Sequence, residues 1–331
     1  MTTITAAITA VGGYVPEHVL NNAALEQMVD TSDEWITTRT GIKERRILKP
    51  TSLGTSFMAI AAARELIQKK GLNPSTIDLV IVSTATPDMP VSSTAAYVAT
   101  ELGATNAFGY DLQGACSGFL YGMSVASAHI SSGRYKKVLL IGADTMSSII
   151  DYTDRTTCVI FGDGAGAVLF EPNEEGFGLQ DEVLRVDGNG RSFLKIEAGG
   201  SMMPASAETV SARKHFLYQE GKSVFKFAVS NMTRAVNQLL EQNNLTKNDI
   251  DYVVAHQANK RILDAIAKNL ALQHDQMLIN IERYGNTTAA TLPLLLWDYE
   301  DKLKKNQKLL FTAFGGGFTW GATYLTWAYN N

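Results

Sequence analysis

Cysteine is scarce in this sequence, since only Cys116 and Cys158 occur among its 331 residues. So few cysteines in a chain of this length exclude a disulfide framework. Long apolar runs are also missing, because none reaches the roughly 18 residues that a membrane span needs. The segment from Met1 to Ala10 lacks the basic and apolar regions of a signal peptide. We therefore expect a cytoplasmic protein with two free thiols and no membrane partner.

An excess of positive charge is missing as well. The chain has 29 lysine and arginine residues against 33 aspartate and glutamate residues, which gives a net charge of −4 and a pI near 5.8. Without a basic surface, a nucleic-acid partner is not expected. What the chain does have is a 45% hydrophobic composition, which provides apolar material for a large core.

Internal repetition is the strongest pattern in the chain. Three segments recur in the same order, residues 62–83 as 235–256, residues 137–143 as 308–314, and residues 161–170 as 314–325. The first pair has the pattern of an amphipathic helix followed by an apolar strand. Two unrelated helix–strand units would also produce one such match, but three in order favour duplication. We predict an α/β fold of two similar halves, residues 1–170 and 171–331, in one compact body.

The repeat makes two further predictions. Apolar stripes should bury one face of each repeated helix, with Met58, Ala62 and Leu66 in the first copy and Val224, Ala228, Met232 and Val236 in the second. The offset between the copies falls from 171 to 155 residues. The first copy should therefore carry about sixteen extra residues near positions 145–160.

Cys116 lies in the segment Gly-Ala-Cys-Ser-Gly, at a predicted turn from a strand into a buried helix. Free N–H groups and the helix dipole at such a turn favour a thiolate. A buried cysteine that serves only as a small apolar residue is the alternative, and it is our interpretation of Cys158. The pattern also resembles the nucleophile elbow of α/β-hydrolases, but the oxyanion loop of that fold has no counterpart upstream.

Three more positions are candidates for a site. His256 follows an apolar strand, at the edge where α/β folds place their sites, although a core histidine with a satisfied hydrogen bond fits too. Asn286 lies 170 residues after Cys116, so we expect the two at nearly matched helix starts, where a helix cap is the alternative. The glycines of residues 315–317 form either an oxyanion loop or a tight turn.

Several motifs together resemble β-ketoacyl-acyl carrier protein synthase III, from about Val11 to Trp327. They are ACSGF at Cys116, HQAN at His256, GNTTAAT at Asn286, FGGGFTWG near the end, and two segments of the first half, residues 29–46 and 153–169. Thiolases have a second cysteine where Asn286 stands, and elongating synthases have a second histidine. The family has the thiolase fold, in which two duplicated halves form five αβαβα layers, and it is usually a homodimer.

The resemblance implies a decarboxylative condensation that starts fatty acid synthesis. Cys116 would take the acyl group of a short acyl-coenzyme A, with its own N–H and that of Gly316 as the oxyanion hole. His256 and Asn286 would then donate hydrogen bonds to malonyl-acyl carrier protein as carbon dioxide leaves. No metal or other cofactor is implied, because the coenzyme A thioester is a substrate.

The resemblance also implies the residues that bind the substrates. Coenzyme A would contact Trp35, Arg39, Arg155 and Asn259, with Trp35 and Arg155 on either side of the adenine. An acidic carrier protein would contact the basic patch of Lys226, Lys260 and Arg261. Val91 would reach the acyl pocket across the dimer. The family often carries phenylalanine there, so a smaller side chain would admit longer or branched primers.

Three alternatives remain open at this point. A specialised synthase III homologue, which condenses other acyl chains in polyketide or secondary-lipid synthesis, would have the same three site residues. A thioesterase or hydrolase of the Cys-His-Asn type would place them in the same chain order as papain-like proteases, but the local signatures of those proteases are absent from this sequence. A thiolase-fold protein that only binds acyl chains would not need all three residues.

Overall fold

The computed structural model describes residues 4–330. Its strands are β1 (Thr5–Tyr14), β2 (Val19–Asn21), β3 (Glu44–Arg46), β4 (Leu79–Ser83), β5 (Phe108–Leu112), β6 (Val138–Asp144), β7 (Gly164–Asn173), β8 (Gly178–Val186), β9 (Leu194–Ile196), β10 (Leu217–Gln219), β11 (Tyr252–Ala255), β12 (Lys308–Gly315) and β13 (Thr319–Thr326). Its α-helices are α1 (Asn22–Glu26), α2 (Asp33–Thr40), α3 (Thr55–Lys70), α4 (Thr94–Leu102), α5 (Gly118–Ser131), α6 (Ala207–Ser211), α7 (Gly221–Gln242), α8 (Lys260–Asn269), α9 (Ile281–Tyr284) and α10 (Thr291–Tyr299).

Two main sheets repeat one topology. The first has the order β1-β7-β6-β4-β5, and the second has β8-β13-β12-β11. β4 and β6 are parallel in the first sheet, as β11 and β12 are in the second. The pairs β6–β7 and β7–β1 are antiparallel, and so are their counterparts β12–β13 and β13–β8. An isolated parallel bridge between Val253 and Met277 stands where β5 stands in the first sheet. The predicted duplication is confirmed.

Helices and sheets alternate in five layers. Helices α3 and α4 cover the outer face of the first sheet, α5 and α10 lie between the sheets, and α7 and α8 cover the second. The middle layer is apolar, since Phe119 of α5 and Leu295 of α10 share one fully buried cluster with Leu140 and Phe311 of the two sheets. Full burial of each such side chain contributes about 1.5–3 kcal/mol. The predicted αβαβα architecture is confirmed.

The apolar stripes predicted on the repeated helices are buried, as Met58, Ala62 and Leu66 on α3 and Val224, Ala228, Met232 and Val236 on α7. The predicted extra residues lie where expected. Nineteen residues join β6 to β7, whereas three join β12 to β13, a difference of sixteen.

The division predicted at residue 170 falls within β7, so it stays a prediction. No helix between residues 4 and 330 is long and apolar enough to cross a membrane.

Candidate active site

Five of the predicted site residues line one cavity of about 950 Å³, namely Cys116, His256, Asn286, Gly316 and Asn259. They come from both halves of the chain. Apolar side chains of α7 and α8 form part of the wall, including Val224, Ala228, Met232 and Ile262. A largely apolar cavity with a few convergent polar groups is typical of a small-molecule site.

Cys116 is the middle residue of a 3-10 helix, Ala115–Ser117, that leads directly into α5. The turn is tight, because Ala115 has a φ of 46°, which is uncommon for a residue with a side chain. Two hydrogen bonds fasten the turn to the other half of the chain. The Thr319 hydroxyl donates to the Gly114 carbonyl at 2.9 Å, and the Ser117 hydroxyl donates to the Thr319 carbonyl at 3.0 Å.

The Cys116 thiol is protonated at neutral pH. Its side chain is 7% exposed, and burial raises its pKa to about 12, with a second contribution from the Asp144 carboxylate. The backbone N–H of Cys116 acts in the opposite direction but is outweighed. The expectation that the helix start alone favours a thiolate is therefore wrong for the resting protein, because desolvation of the charge is larger.

His256 follows β11 and is buried, with 1% of its surface exposed. Its backbone N–H donates to the Thr312 carbonyl at 2.8 Å, and its Nδ1 lies 2.7 Å from the Thr291 hydroxyl oxygen. Burial lowers the pKa of the imidazole to about 3, so the ring is neutral at pH 7. One ring nitrogen is satisfied inside the protein, as the core alternative expected, while the residue also lines the cavity.

Asn286 is held by hydrogen bonds of its backbone and of its side-chain oxygen. Its N–H donates to the Ile160 carbonyl at 2.9 Å, and its carbonyl accepts from Gly162 at 3.0 Å. Its side-chain oxygen accepts from the Thr288 N–H at 2.9 Å. The expected capping role and a chemical role are therefore compatible, because the oxygen caps the turn and the NH₂ group can donate towards the cavity.

The glycine loop approaches the cysteine closely. A β-carbon at Gly315 would lie 2.7 Å from the Cys116 nitrogen and 3.0 Å from the Ser117 nitrogen. Only glycine leaves these N–H groups uncovered at this distance. Gly316, the next residue, lines the cavity. The loop thus forms a tight turn and also brings its backbone close to Cys116.

The duplication corrects the predicted match between Cys116 and Asn286. The 3-10 helix Ala115–Ser117 corresponds to Thr288–Ala290, and both begin at a positive φ, 46° at Ala115 and 55° at Thr288. The counterpart of Cys116 is therefore Ala289. Asn286 lies three residues earlier and corresponds to Gln113, which also lines the cavity.

Asp144 is a buried residue that sequence reasoning missed. Its carboxylate accepts hydrogen bonds from the N–H groups of Ala289 at 3.1 Å and Ala85 at 2.7 Å, and burial raises its pKa to about 6. The repeat places Gly315 opposite Asp144, so the Cys116 N–H has no such carboxylate in front of it. The offset of 171 between the second pair of repeats already aligned these two positions.

Comparison with known proteins identifies the family. Two family models match, "3-Oxoacyl-[acyl-carrier-protein (ACP)] synthase III" over residues 110–188 and its C-terminal counterpart over residues 240–327. A β-ketoacyl-[acyl-carrier-protein] synthase III of Bacteroides thetaiotaomicron is 55% identical over 330 residues, covering 100% of this chain and 98% of the relative. The chain belongs to the synthase III family. This membership and the site make it a condensing acyltransferase, and the resemblance is confirmed.

Solved structures of a 3-oxoacyl-[acyl-carrier-protein] synthase III and of a priming β-ketosynthase match over nearly the whole chain. The enzyme from Aquifex aeolicus is 39% identical with a TM-score of 0.89, covering 97% of this chain and 100% of that one. The priming β-ketosynthase of the R1128 polyketide pathway is 32% identical with a TM-score of 0.91, covering 98% and 97%. Among residues 4–330, no group of three or more histidine, cysteine or acidic side chains is placed to hold a metal ion.

The residues expected to hold coenzyme A lie beside the cavity rather than in it, apart from Asn259. The guanidinium groups of Arg39 and Arg155 lie 5.2 and 5.5 Å from the centre of the Trp35 ring. A base stacked between them would need the Trp35 ring and the Arg155 guanidinium to be about 7 Å apart, which is the sum of two van der Waals contacts. The expected sandwich is therefore not preformed, since Arg155 lies over the ring and donates a 2.8 Å hydrogen bond to the Asp30 carbonyl.

The three basic residues lie on α7 and α8, which pack together, and Asn259 immediately precedes α8. Asn259 caps α8 by accepting from the Ile262 N–H at 3.0 Å. Lys226 lies in a surface groove, and the Arg261 guanidinium lies 5.4 Å above the Phe225 ring. Lys260 is 2.7 Å from its partner in an exposed ion pair, Asp264. Such pairs contribute little and separate readily, so Lys260 is available to an acidic partner.

Val91 lies outside the cavity of its own chain. It is fully exposed in the loop between β4 and α4 and has a φ of 75°. A β-branched residue at positive φ is a genuine outlier, and such strain persists where a loop shape is needed. The described chain therefore presents Val91 outward, where only another molecule can receive it.

Proposed function

We propose that this protein condenses a short acyl-coenzyme A with malonyl-acyl carrier protein through an acyl group carried on Cys116. One observation carries the proposal, which is the meeting of Cys116, His256 and Asn286 in a single largely apolar cavity. A covalent intermediate divides one difficult condensation into two easier transfers. The product is a 3-ketoacyl-acyl carrier protein, the starting intermediate of fatty acid synthesis.

In the first transfer, the sulfur of Cys116 attacks the thioester carbonyl and coenzyme A leaves as a thiol. Negative charge develops on the carbonyl oxygen. The N–H groups of Cys116 and Gly316 are the proposed donors to that oxygen, and the close approach of Gly315 supports this placement. Coenzyme A is a substrate here, so the reaction uses no resident cofactor.

In the second transfer, malonyl-acyl carrier protein occupies the cavity and loses carbon dioxide. The resulting enolate carries charge on the thioester oxygen. The Asn286 amide suits this step, because its oxygen is held by Thr288 and its NH₂ group is left to donate. His256 completes the pair, and the enolate carbon then attacks the acyl group on Cys116.

The variant Asn286→Asp tests the division into two transfers. Aspartate keeps the shape and the oxygen that accepts from Thr288, but it removes the NH₂ donor. We expect Cys116 to be acylated still, while condensation falls about 10²–10³-fold. Intact mass should show the acyl-enzyme persisting after malonyl-acyl carrier protein is added. Parallel losses in both transfers would contradict the assigned role.

We assign the two substrate surfaces as the family resemblance implies. Trp35, Arg39, Arg155 and Asn259 would hold coenzyme A, with Arg155 moving off the Trp35 ring to admit the adenine. Lys226, Lys260 and Arg261 would receive the acidic carrier protein. The contact between α2 and α8 supports this arrangement, because it brings the two surfaces together at one rim.

We further propose a homodimer in the cytoplasm. The outer edge of β5 is unpaired in the described chain, and Phe108 on this strand is exposed. An open edge with apolar side chains favours pairing with a second copy. Val91 would then reach the acyl pocket of the partner subunit. Two free cysteines support a reducing compartment.

The small side chain of Val91 predicts that the protein accepts longer and branched acyl primers. Valine fills less of a pocket than phenylalanine, so isobutyryl- and octanoyl-coenzyme A should acylate Cys116 at rates comparable to acetyl-coenzyme A. The variant Val91→Phe should restore a preference for acetyl by at least about tenfold, since one or two methylenes are worth 1–3 kcal/mol. Acylation rates across the three thioesters measure this. A strict acetyl preference in the unaltered protein would reject it.

A specialised role in polyketide priming is the second candidate. The 32% identity to the R1128 priming synthase supports it, although the identity to the Bacteroides synthase III is 55%. The two roles differ in primer and carrier protein rather than in chemistry. Competition between a fatty acid carrier protein and a polyketide carrier protein for one acyl-enzyme would distinguish them.

A further inference from the structure

The buried Asp144 carboxylate at the end of β6 forms hydrogen bonds with both halves of the chain. Its Oδ1 accepts from the N–H groups of Ala85 at 2.7 Å and Thr86 at 3.1 Å. The hydroxyls of Thr84 and Thr86 also donate to Oδ1, each at 3.1 Å. Its Oδ2 accepts from the Ala289 N–H at 3.1 Å. Asp144 is fully buried, so these five donors stabilise its charge where water would otherwise do so.

The duplication shows what this carboxylate replaces. The offset of 173 aligns Ala289 with Cys116, and the offset of 171 aligns Asp144 with Gly315. In the half with the nucleophile, the Cys116 N–H is the proposed donor to the substrate oxygen. In the other half, the equivalent N–H of Ala289 donates to Asp144 instead. The carboxylate therefore fills the second copy of the oxyanion hole with an oxygen that belongs to the protein.

The filled copy holds the turn that carries Asn286. The Thr288 N–H donates to the Asn286 side-chain oxygen at 2.9 Å. The next N–H along the chain, that of Ala289, is the one that donates to Asp144. Thr288 has a φ of 55°, an outlier for a β-branched residue, and such a conformation persists only where its surroundings hold it. The direction of the Asn286 NH₂ group thus depends on how Ala289 is held.

β6 approaches this turn as closely as the glycine loop approaches Cys116. A β-carbon at Gly142 would lie 2.4 Å from the Ala289 carbonyl oxygen. The opposite side of the carboxylate is firmly held too, because the Thr86 hydroxyl that donates to Asp144 accepts from the Thr145 N–H at 2.8 Å. Asp144 therefore fixes the turn relative to the first sheet.

We propose that Asp144 is a positioning residue that occupies the second copy of the oxyanion hole and thereby aims the Asn286 amide at the malonyl thioester. The inference rests on the proposed function and deepens it. Asp144 does not line the cavity, whereas Thr288 does, so Asp144 acts through the turn and not on the substrate.

The variant Asp144→Asn breaks one side of this link. The asparagine oxygen should face residues 84–86, which supply four of the five donors, so its NH₂ group faces the Ala289 N–H. Two donors then oppose each other, and the turn should move with the Asn286 amide. We expect condensation by a preformed acyl-enzyme to fall at least about tenfold, since a misplacement of about 1 Å costs up to about 10²-fold. A single-turnover chase with malonyl-acyl carrier protein measures this rate.

The first transfer should respond in the opposite direction. The Asp144 carboxylate raises the pKa of the Cys116 thiol, so a neutral amide in its place lowers that pKa and increases the thiolate fraction. Alkylation of Cys116 by iodoacetamide at a fixed, mildly alkaline pH should therefore be faster, when both proteins also contain Cys158→Ala. The acylation rate should be at least that of the protein with Asp144. A purely structural role for Asp144 would lower both transfers.

Thr84→Val is the matched control, because it removes one donor from the carboxylate and leaves the bond to Ala289 in place. We expect a lower melting temperature, since a buried hydrogen bond is lost, but unchanged condensation. Asp144→Ala is a second test that does not depend on how Asp144→Asn folds. It leaves a space that formate fits, so formate should restore condensation several-fold and chloride at equal concentration should not.

Equal losses in the two transfers, unaltered condensation in Asp144→Asn, or no restoration of Asp144→Ala by formate would each overturn the inference. Failure of the proposed function is distinct, since the unaltered protein would then form no ketoacyl product.

Discussion

Replacing Cys116 by serine should abolish formation of the acyl-enzyme, with a fall in acyl transfer of about 10⁴-fold or more. The thiol is already protonated in its buried site, and a hydroxyl in the same place is a far weaker nucleophile. The two side chains are close in size, so the turn from Ala115 to Ser117 should keep its shape. Intact mass after incubation with labelled acyl-coenzyme A measures the loss.

Cys158 provides the control, because it is the other cysteine of the sequence. It is 1% exposed and packs in a hydrophobic cluster behind the site. Cys158→Ala should take up one acyl group as the unaltered protein does. A label that survives Cys116→Ser, or that disappears with Cys158→Ala, would place the nucleophile elsewhere.

The variant Gly315→Ala should lower acylation by about 10²–10³-fold, the effect of losing an oxyanion donor. The added methyl group would stand 2.7 Å from the Cys116 nitrogen, closer than a carbon can lie. It would displace the turn or cover the N–H that is proposed to bind the developing oxyanion. Single-turnover acylation at saturating acyl-coenzyme A separates this from a loss of substrate binding.

Gly316→Ala is the matched comparison in the same loop. Its β-carbon would meet Leu194 at 3.5 Å, which is ordinary contact, and the N–H of residue 316 would remain. We expect a loss at least about tenfold smaller than that of Gly315→Ala. Equal losses from the two substitutions would mean that the loop is simply intolerant, and that covering the Cys116 N–H is not the cause.

The sequence predicted the architecture because the duplication repeats buried faces. Apolar stripes on α3 and α7 and continuous apolar runs in β6 and β12 must be buried for the chain to fold, so they survive in both copies. Cys116, His256 and Asn286 were found for a related reason. Each lies at the end of a buried strand or near the start of a helix, where a polar or reactive group needs an explanation.

Features that depend on three-dimensional surroundings were not predictable in this way. The thiolate expected at Cys116 is a thiol, since desolvation outweighs the helix start. Arg155 lies directly over the Trp35 ring, with no space between them for a base. A motif does not encode side-chain distances, so the sequence could not predict this. Asp144 was missed because its role arises from contacts with segments far away in the sequence, such as that of Ala289.

Intact mass spectrometry with ordered addition of substrates tests the central claim most directly. The protein is first mixed with labelled acyl-coenzyme A, the labelled peptide is located, and malonyl-acyl carrier protein is then added. We predict one acyl group on Cys116, followed by its loss in step with carbon dioxide and labelled 3-ketoacyl-acyl carrier protein. Release of the label solely as free acid, or the absence of any label on Cys116, would contradict the account.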